Sequence, residues 1–257
     1  MKIIIFVMNP DKYYERRKAL SKLLEKTPFQ FQFTAINDEL ELTPAAIAKN
    51  HDSKKTVDSF GRDFSHGELA STLNHLLAYK KFLNSENDLA IIMEDDADFI
   101  VDEFIFVVNQ LRKIIDESKP QVYLLTPVIS YLNNHAKALS ENYKVVKVIQ
   151  SWDSSGYIIN RKAAEKIINV NSKSWIIADD WVKYIRHSNI NIFSVIPTII
   201  KQNLIMFDSN LMKTRNKAIK SRSFKYVLSR MVWKIISDVK KYFWLIPFKG
   251  YVRNKGV

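Results

Sequence analysis

Ile3–Met8 is a six-residue apolar run closed by Asn9-Pro10-Asp11. A short β-branched run that stops at turn residues predicts a buried strand. Asp11–Lys26 then carries Leu20, Leu23 and Leu24 on one helical face. Phe29–Ile36 alternates, with Phe29, Phe31, Phe33 and Ala35 on one side, as a half-buried strand does. This βαβ opening predicts an α/β fold with a parallel sheet. Residues 37–65 are polar and irregular and read as a surface loop. His66–Leu83 reads as a helix with Leu69, Leu73, Leu76 and Leu77 near one side. Leu89–Met93 is a second buried strand, and it runs straight into Glu94-Asp95-Asp96-Ala97-Asp98. A helix over Glu103–Glu117 and a strand at Gln121–Thr126 follow. Val145–Val148 and Gly156–Ile159 read as a strand pair, Lys162–Val170 and Asp179–Arg186 as helices, and Ile192–Val195 as a late strand.

Length and composition narrow this picture. With 257 residues, 47% of them hydrophobic, the chain suits one large α/β domain, alone or with an appendage. It has no cysteine, which excludes disulfides and thiolate metal sites. The first apolar run is too short for a signal peptide, and no uncharged apolar stretch reaches the length of a membrane span. The protein is therefore expected to stay in the cytoplasm, where it is made.

The net charge of +12 matters because of where it sits. Residues 211–257 hold 13 of the 39 Lys/Arg but only one of the 27 acids, Asp238, so residues 1–210 are neutral overall. The chain divides into a neutral body, 1–210, ending near Asp208, and a basic tail, 211–257. In the tail Phe224, Val227, Leu228, Met231, Ile235, Val239, Tyr242, Phe243 and Ile246 recur at helical spacing. Lys225, Arg230, Lys234, Lys240 and Lys241 lie between them, with Trp233 and Trp244 as interfacial aromatics. A basic amphipathic helix of this kind predicts peripheral binding to an anionic membrane surface. The apolar stripe is too continuous for an exposed RNA-binding helix, so nucleic acid is not expected as a partner.

Four carboxylates in five residues, at the carboxyl end of an apolar strand, are the main candidate for chemistry. Ligands of open α/β sheets bind at that end. Crowded carboxylates repel one another, and Mg²⁺ or Mn²⁺ relieves this while bridging one or two of them to substrate phosphates. A solvated turn that caps the next helix is the plainer reading, but this run interrupts an apolar strand and lies on no polar face. Asp96 is the first choice of metal ligand. Glu94 and Asp98 share its face if the strand continues, whereas Asp95 points the other way.

Other polar groups are candidates of lower weight. Asn9, Arg16 and Arg17 follow the first strand, where nucleotides dock and where Arg reads phosphate. Glu68 and His75 share a helical face; a buried, satisfied histidine is the commoner outcome there. Asp179 and Asp180 open a helix, as an N-cap or as a general base, and Trp181 beside them would offer a flat platform to a sugar ring. Trp152-Asp153-Ser154-Ser155-Gly156-Tyr157 would line an acceptor groove or form a plain hairpin turn.

In this order the segments resemble glycosyltransferase family 25, the group of lipooligosaccharide galactosyltransferases that also includes collagen galactosyltransferases. The resemblance covers about residues 1–210. Ile3–Met8 with Asn9-Pro10-Asp11 and Arg16-Arg17 resembles the family's first strand, Asn-Leu-Asp and Arg pair. Phe33-Thr34-Ala35-Ile36-Asn37 resembles Phe-x-Ala-Ile-Asp-Gly. Gly67-Glu68 through Asn74-His75 resembles its Gly-Glu…Ser-His helix, and Ala90 through Asp96 its Ala-Leu-Ile-Leu-Glu-Asp-Asp. Ser155–Ala164 resembles Gly-Thr-x-x-Tyr-Leu-Ile-Ser-x-x-Ala-Ala, and Asp179-Asp180 stands where the family has a late acidic pair. Departures lie at Ala70-Ser71, Asn74, Ser154-Ser155 and Asn37-Asp38, and they bear on substrate preference.

The resemblance implies a GT-A-like fold, a Rossmann-type mixed sheet with helices on both faces. It implies transfer of a hexose, usually galactose from UDP-galactose, with inversion, onto a lipid-linked oligosaccharide at the cytoplasmic face of the inner membrane. In such a reaction a carboxylate base activates the acceptor hydroxyl opposite the departing diphosphate. The resulting expectation puts the metal on Asp96 and Asp98, the donor on Asn9, Arg16, Arg17, Glu94 and Asp95, the base on Asp180 or Asp179, and the acceptor against Trp152, Tyr157, Trp181 and His75. A metal-dependent phosphohydrolase acting on nucleotide sugars, or a non-catalytic membrane adaptor, would use the same features differently.

Overall fold

The computed structural model describes residues 1–34, 42–203 and 231–254, without positions 233, 237 and 240. The centre of the fold is one nine-stranded mixed sheet, eight strands of it from the body and one from the tail. Its strands are β1 (Ile3–Met8), β2 (Gln30–Phe33), β3 (Leu89–Glu94), β5 (Gln121–Leu124), β6 (Ser130–Ala138), β7 (Lys144–Gln150), β8 (Gly156–Asn160), β9 (Asn191–Ile196) and β11 (Tyr251–Arg253). They lie in the order β11-β6-β7-β9-β5-β8-β3-β1-β2. β1 runs parallel to both β2 and β3, and β5 parallel to β9. The remaining pairings are antiparallel. β4 (Ala97–Asp98) and β10 (Lys201–Gln202) form a separate two-stranded ribbon.

Alternation along each central strand divides the core in two. Phe6, Ile92, Tyr157 and Ile159 face one side. There they meet α4 (His66–Leu83), α6 (Arg161–Val170) and α7 (Trp181–Ser188) through Leu76, Tyr79, Phe82, Ile167 and Tyr184. Ile5, Val7, Ile91 and Ile158 face the other side, against α1 (Tyr14–Leu24) and α5 (Val101–Ile114) through Leu20, Leu24, Phe104 and Leu111. Strands covered on both faces read as unbroken apolar runs, which is why β1 and β3 were legible.

Three expectations are corrected. Residues 37–65 are no plain loop, because α2 (Pro44–Asn50) and α3 (Ser53–Phe60) lie there, capped by Thr43 and Asp52. These helices are tied to the body by His51, whose Nδ1 lies 2.6 Å from the Ser174 carbonyl and whose Nε2 lies 2.6 Å from Asp63. The strands at Val145–Val148 and Gly156–Ile159 exist but are not partners; β9 and β5 lie between them. β6, β4, β10 and β11 had not been expected as strands.

Among the described residues no helix is long and apolar enough to cross a membrane. The segments at Ile36 and Asp208, and the tail positions Phe224 to Arg230, Trp233 and Lys240, lie outside the described residues. In the described tail, 231–232, 234–236 and 238–239 are α-helical, Lys241–Leu245 is π-helical, and Ile246–Lys249 is a last short helix ending at Gly250. β11 then joins the edge of the main sheet beside β6.

Candidate active site

At β1 the order of the sheet reverses. The chain leaves β1 to pair β2 on one side and returns through α4 to pair β3 on the other. A crevice opens at such a switch point, beyond the carboxyl ends of the strands. The register pairs Met8 with Glu94, so Asn9 and Asp95 leave the sheet side by side.

Asp95 is buried and held from two directions. Asn9 Nδ2 donates to its Oδ2 at 2.7 Å, and Arg16 Nη1 donates to its Oδ1 at 3.0 Å. Asn9 Nδ2 also reaches the Tyr13 carbonyl at 3.1 Å, which sets the start of α1. The Arg16 guanidinium lies over the Tyr13 ring, 4.7 Å from its centre. Arg17 does not join this group. It faces Asp11 at 3.8 Å, is 45% exposed, and lies over Phe33.

The chain turns at Asp95-Asp96, so the strand alternation that would have aligned Glu94, Asp96 and Asp98 is broken. Asp98 sits exposed on β4 opposite Lys201. Asp96 is half-buried, and its Oδ1 is buried without a hydrogen-bond partner among the described residues. Burial, with the charges of Glu94 and Asp95 beside it, pushes the Asp96 carboxyl up to about 7. Glu94 is raised to about 7 as well, first by burial and then by Asp153 and Asp95. Ser154 Oγ donates to Glu94 Oε1 at 2.9 Å.

Behind Glu94 lies a buried aromatic stack. His75 Nε2 is 3.7 Å from Glu94 Oε1 and has no hydrogen-bond partner among the described residues, while its Nδ1 lies 2.7 Å from the Tyr157 hydroxyl. Burial lowers His75 to about 3, so the ring is neutral. The His75 and Tyr157 rings are stacked, Tyr79 shares a short hydrogen bond with the Tyr157 hydroxyl, and Trp181 meets Tyr157 edge-on at 4.9 Å. Trp181 Nε1 donates to the Asp153 carbonyl at 2.7 Å, which links α7 to the segment before β8.

Several predicted residues thus fall elsewhere in the arrangement. Tyr157 and Trp181 are fully buried, so neither presents a ring to a sugar; they support the site from underneath. Trp152, 37% exposed, is the aromatic that faces solvent. His75 is not paired with Glu68, because Glu68 takes both Arg62 nitrogens, at 2.6 and 2.7 Å, and closes the capping box of α4 with Ser65. Asp180 is buried, and its Oδ1 accepts from Lys183 N at 3.0 Å, capping α7. Asp179 beside it is half-buried.

Asp153 was read only within the Trp152–Tyr157 segment, and Gln202 and Asn203 were not read at all. Asp153 Oδ1 is held by Ser155 N and Oγ, and its charge raises Glu94. Gln202 Nε2 donates to Ser155 Oγ at 2.7 Å, and Asn203 N donates to the Asp96 carbonyl at 2.8 Å. The Asp-Ser-Ser segment was visible as small and polar; nothing local to Gln202 or Asn203 marked them.

The profile of the family described as "Glycosyltransferase family 25 (LPS biosynthesis protein)" matches residues 2–182, well over half the chain. The chain belongs to glycosyltransferase family 25. The matched span of this family 25 member contains Asn9, Arg16, the Glu94–Asp98 run and Asp179-Asp180. No curated protein sequence matches it. Among solved structures it is similar to CMP:2-keto-3-deoxy-manno-octonic acid synthetase complexed with CTP, at 13% identity and a TM-score of 0.42, covering 76% of this chain and 89% of that one. It is also similar to a glycosyltransferase involved in glycosylation of the major capsid of PBCV-1, at 10% identity and a TM-score of 0.31, covering 77% and 95%.

The donor set bears on which cation this family 25 site would take. Among the described residues no three His, Asp or Glu side chains converge to enclose an ion. The half-open Asp96 carboxylate, with an unpartnered buried oxygen, fits a hard cation that is completed by substrate phosphates; a closed protein cage does not fit.

Proposed function

We propose that this family 25 glycosyltransferase has a GT-A-like fold and moves a hexose, galactose from UDP-galactose, onto a sugar hydroxyl of a lipopolysaccharide or lipooligosaccharide acceptor, with inversion. The observation that carries this reading is the placement of Asp95 and Asp96 at the β1/β3 switch point, with Asp95 gripped by Asn9 and Arg16. Pinning Asp95 orients the turn and leaves Asp96 open to the crevice. Mg²⁺ or Mn²⁺ held by Asp96 and the donor diphosphate would neutralise the leaving group. Arg16 lies within the same cluster and adds positive charge where diphosphate would sit.

One of the late acidic pair, Asp180 or Asp179, is proposed as the base that takes the acceptor proton; Asp180 Oδ1 also caps α7. Glu94 stays beside the donor, oriented by Ser154 and backed by neutral His75. Trp152 is the ring available to the acceptor.

Titration with UDP-galactose, UDP-glucose, UDP-N-acetylglucosamine and GDP-mannose, in Mn²⁺ and in chelator, tests the reading. It predicts metal-dependent binding of one UDP-sugar, at least tenfold weaker in Asp96→Asn with the fold intact. Failure of the folded protein to bind any of the four would refute it.

A further inference from the structure

The described tail exposes apolar side chains in an unusual concentration. Met231, Val232, Ile235, Ile236, Val239, Tyr242, Phe243 and Ile246 are each between 43% and 76% exposed. Elsewhere among the described residues large exposed apolar side chains occur singly, as at Tyr14, Val57 and Ile100. Positions 231, 232, 235, 236 and 239 follow the i, i+1, i+4, i+5, i+8 spacing of one helical stripe, and Lys234 lies off it. This stripe is not packed on the body, and a contiguous apolar face left in water marks a surface that something covers.

The charge around it selects the cover. Thirteen basic residues against one acid in 211–257 would oppose docking of a second copy of the same tail, and would be drawn to an anionic surface. The far end of the tail is tied into the body. Tyr251–Arg253 pairs with Ser130–Leu132, and Asn254 Nδ2 donates to the Val128 carbonyl at 2.6 Å.

We infer that residues 231–246 lie in the headgroup region of an anionic lipid bilayer, with the apolar stripe down. A bilayer so bound would bring a lipid-linked acceptor to the protein; that consequence rests on the transferase reading, whereas the lipid binding itself does not.

Flotation of the full-length chain with vesicles tests this. Vesicles of phosphatidylglycerol and phosphatidylcholine would be compared with phosphatidylcholine alone, for the wild type and for Ile235→Glu/Phe243→Glu. Both sites are exposed, so the fold should tolerate the change. The expected result is binding only to the anionic vesicles, weakened by salt, and reduced about tenfold or more in the double variant, which replaces two apolar contacts buried in the bilayer by negative charges. Equal binding to neutral vesicles, binding unchanged in the variant, or no vesicle binding would each overturn the inference. So would a wild-type dimer in sedimentation that the variant dissolves, without lipid binding. UDP-sugar titration of both proteins in solution separates the two readings: lost vesicle binding with donor binding intact sinks only this one.

Discussion

Two carboxyls titrating near 7 in the folded protein should make its stability rise as the solution is acidified from pH 8 to 5, opposite to the usual course of acid weakening. Glu94 and Asp96 are each raised to about 7 from ordinary values of 4.5 and 3.8. Between pH 7 and 5 the folded chain therefore binds two protons that the unfolded chain does not. His75 works against this: lowered to about 3 from 6.5, it stays neutral in the folded state while the unfolded state protonates. Two protons gained and one forgone leave a net of about one, worth about 1.4 kcal/mol per pH unit. Integrated from pH 8 to 5, this comes to roughly 3 kcal/mol of added stability. His187, lowered by burial and by Lys183, trims it slightly. At this chain length the gain corresponds to ~6–12 °C in Tm. The assay is urea unfolding followed by tryptophan fluorescence at pH 8, 6.5 and 5 in chelator. Asp96→Asn removes one of the two favourable protons, so its profile should be nearly flat over the same range. A wild-type profile that is flat or falls on acidification, or a variant as steep as the wild type, would refute the assigned burial and crowding of this pair.

Two further predictions concern the frame of the site. Arg62→Met leaves the buried Glu68 carboxylate without its two guanidinium bonds, and should cost roughly 3–5 kcal/mol in urea unfolding; Arg62→Met/Glu68→Gln should recover most of it. Gly156→Ala places a Cβ 2.5 Å from Ile200 Cδ1 and 3.1 Å from its Cγ2, at the strand that leads into Gln202. A loss of about 1–3 kcal/mol is expected, relieved by adding Ile200→Val; a Gly156→Ala protein as stable as the wild type would show that this contact is slack.

What was legible in the sequence follows from how each element is stabilised. β1, β3 and α4 are buried on two faces or closed by a capping box, so their apolar pattern and turn chemistry were both present locally. α2 buries no residue and α3 only Thr56 and Phe60, so hydrophobic periodicity was silent and the caps Thr43-Pro44, Asp52 and Gly61 were the sole local marks. β6 is half exposed and carries polar Asn133, Asn134 and His135 with irregular register against β7, which hides its alternation. Strand partners were misjudged for a different reason. Nothing within Val145–Ile159 records that β9, some forty residues later, inserts beside β7.

The same distinction governs the active site. Residues clustered in sequence, Glu94 to Asp98, were found, but their roles were not, because alternation assumes the strand continues and the turn at Asp95-Asp96 ends it. Asp95 drew little weight as the residue pointing away from the presumed metal side. The structure makes it the fastening point, because Asn9 at the end of the neighbouring strand β1 and Arg16 on α1 converge on it. Trp181 was taken for a sugar platform because an aromatic beside an acid pair suggests one. Its burial depends on Tyr157 and the Asp153 carbonyl, contributed from more than twenty residues away. A carboxylate's place on a strand end can thus be read from local sequence, whereas its partner, and with it its charge state, is supplied by the neighbouring strand.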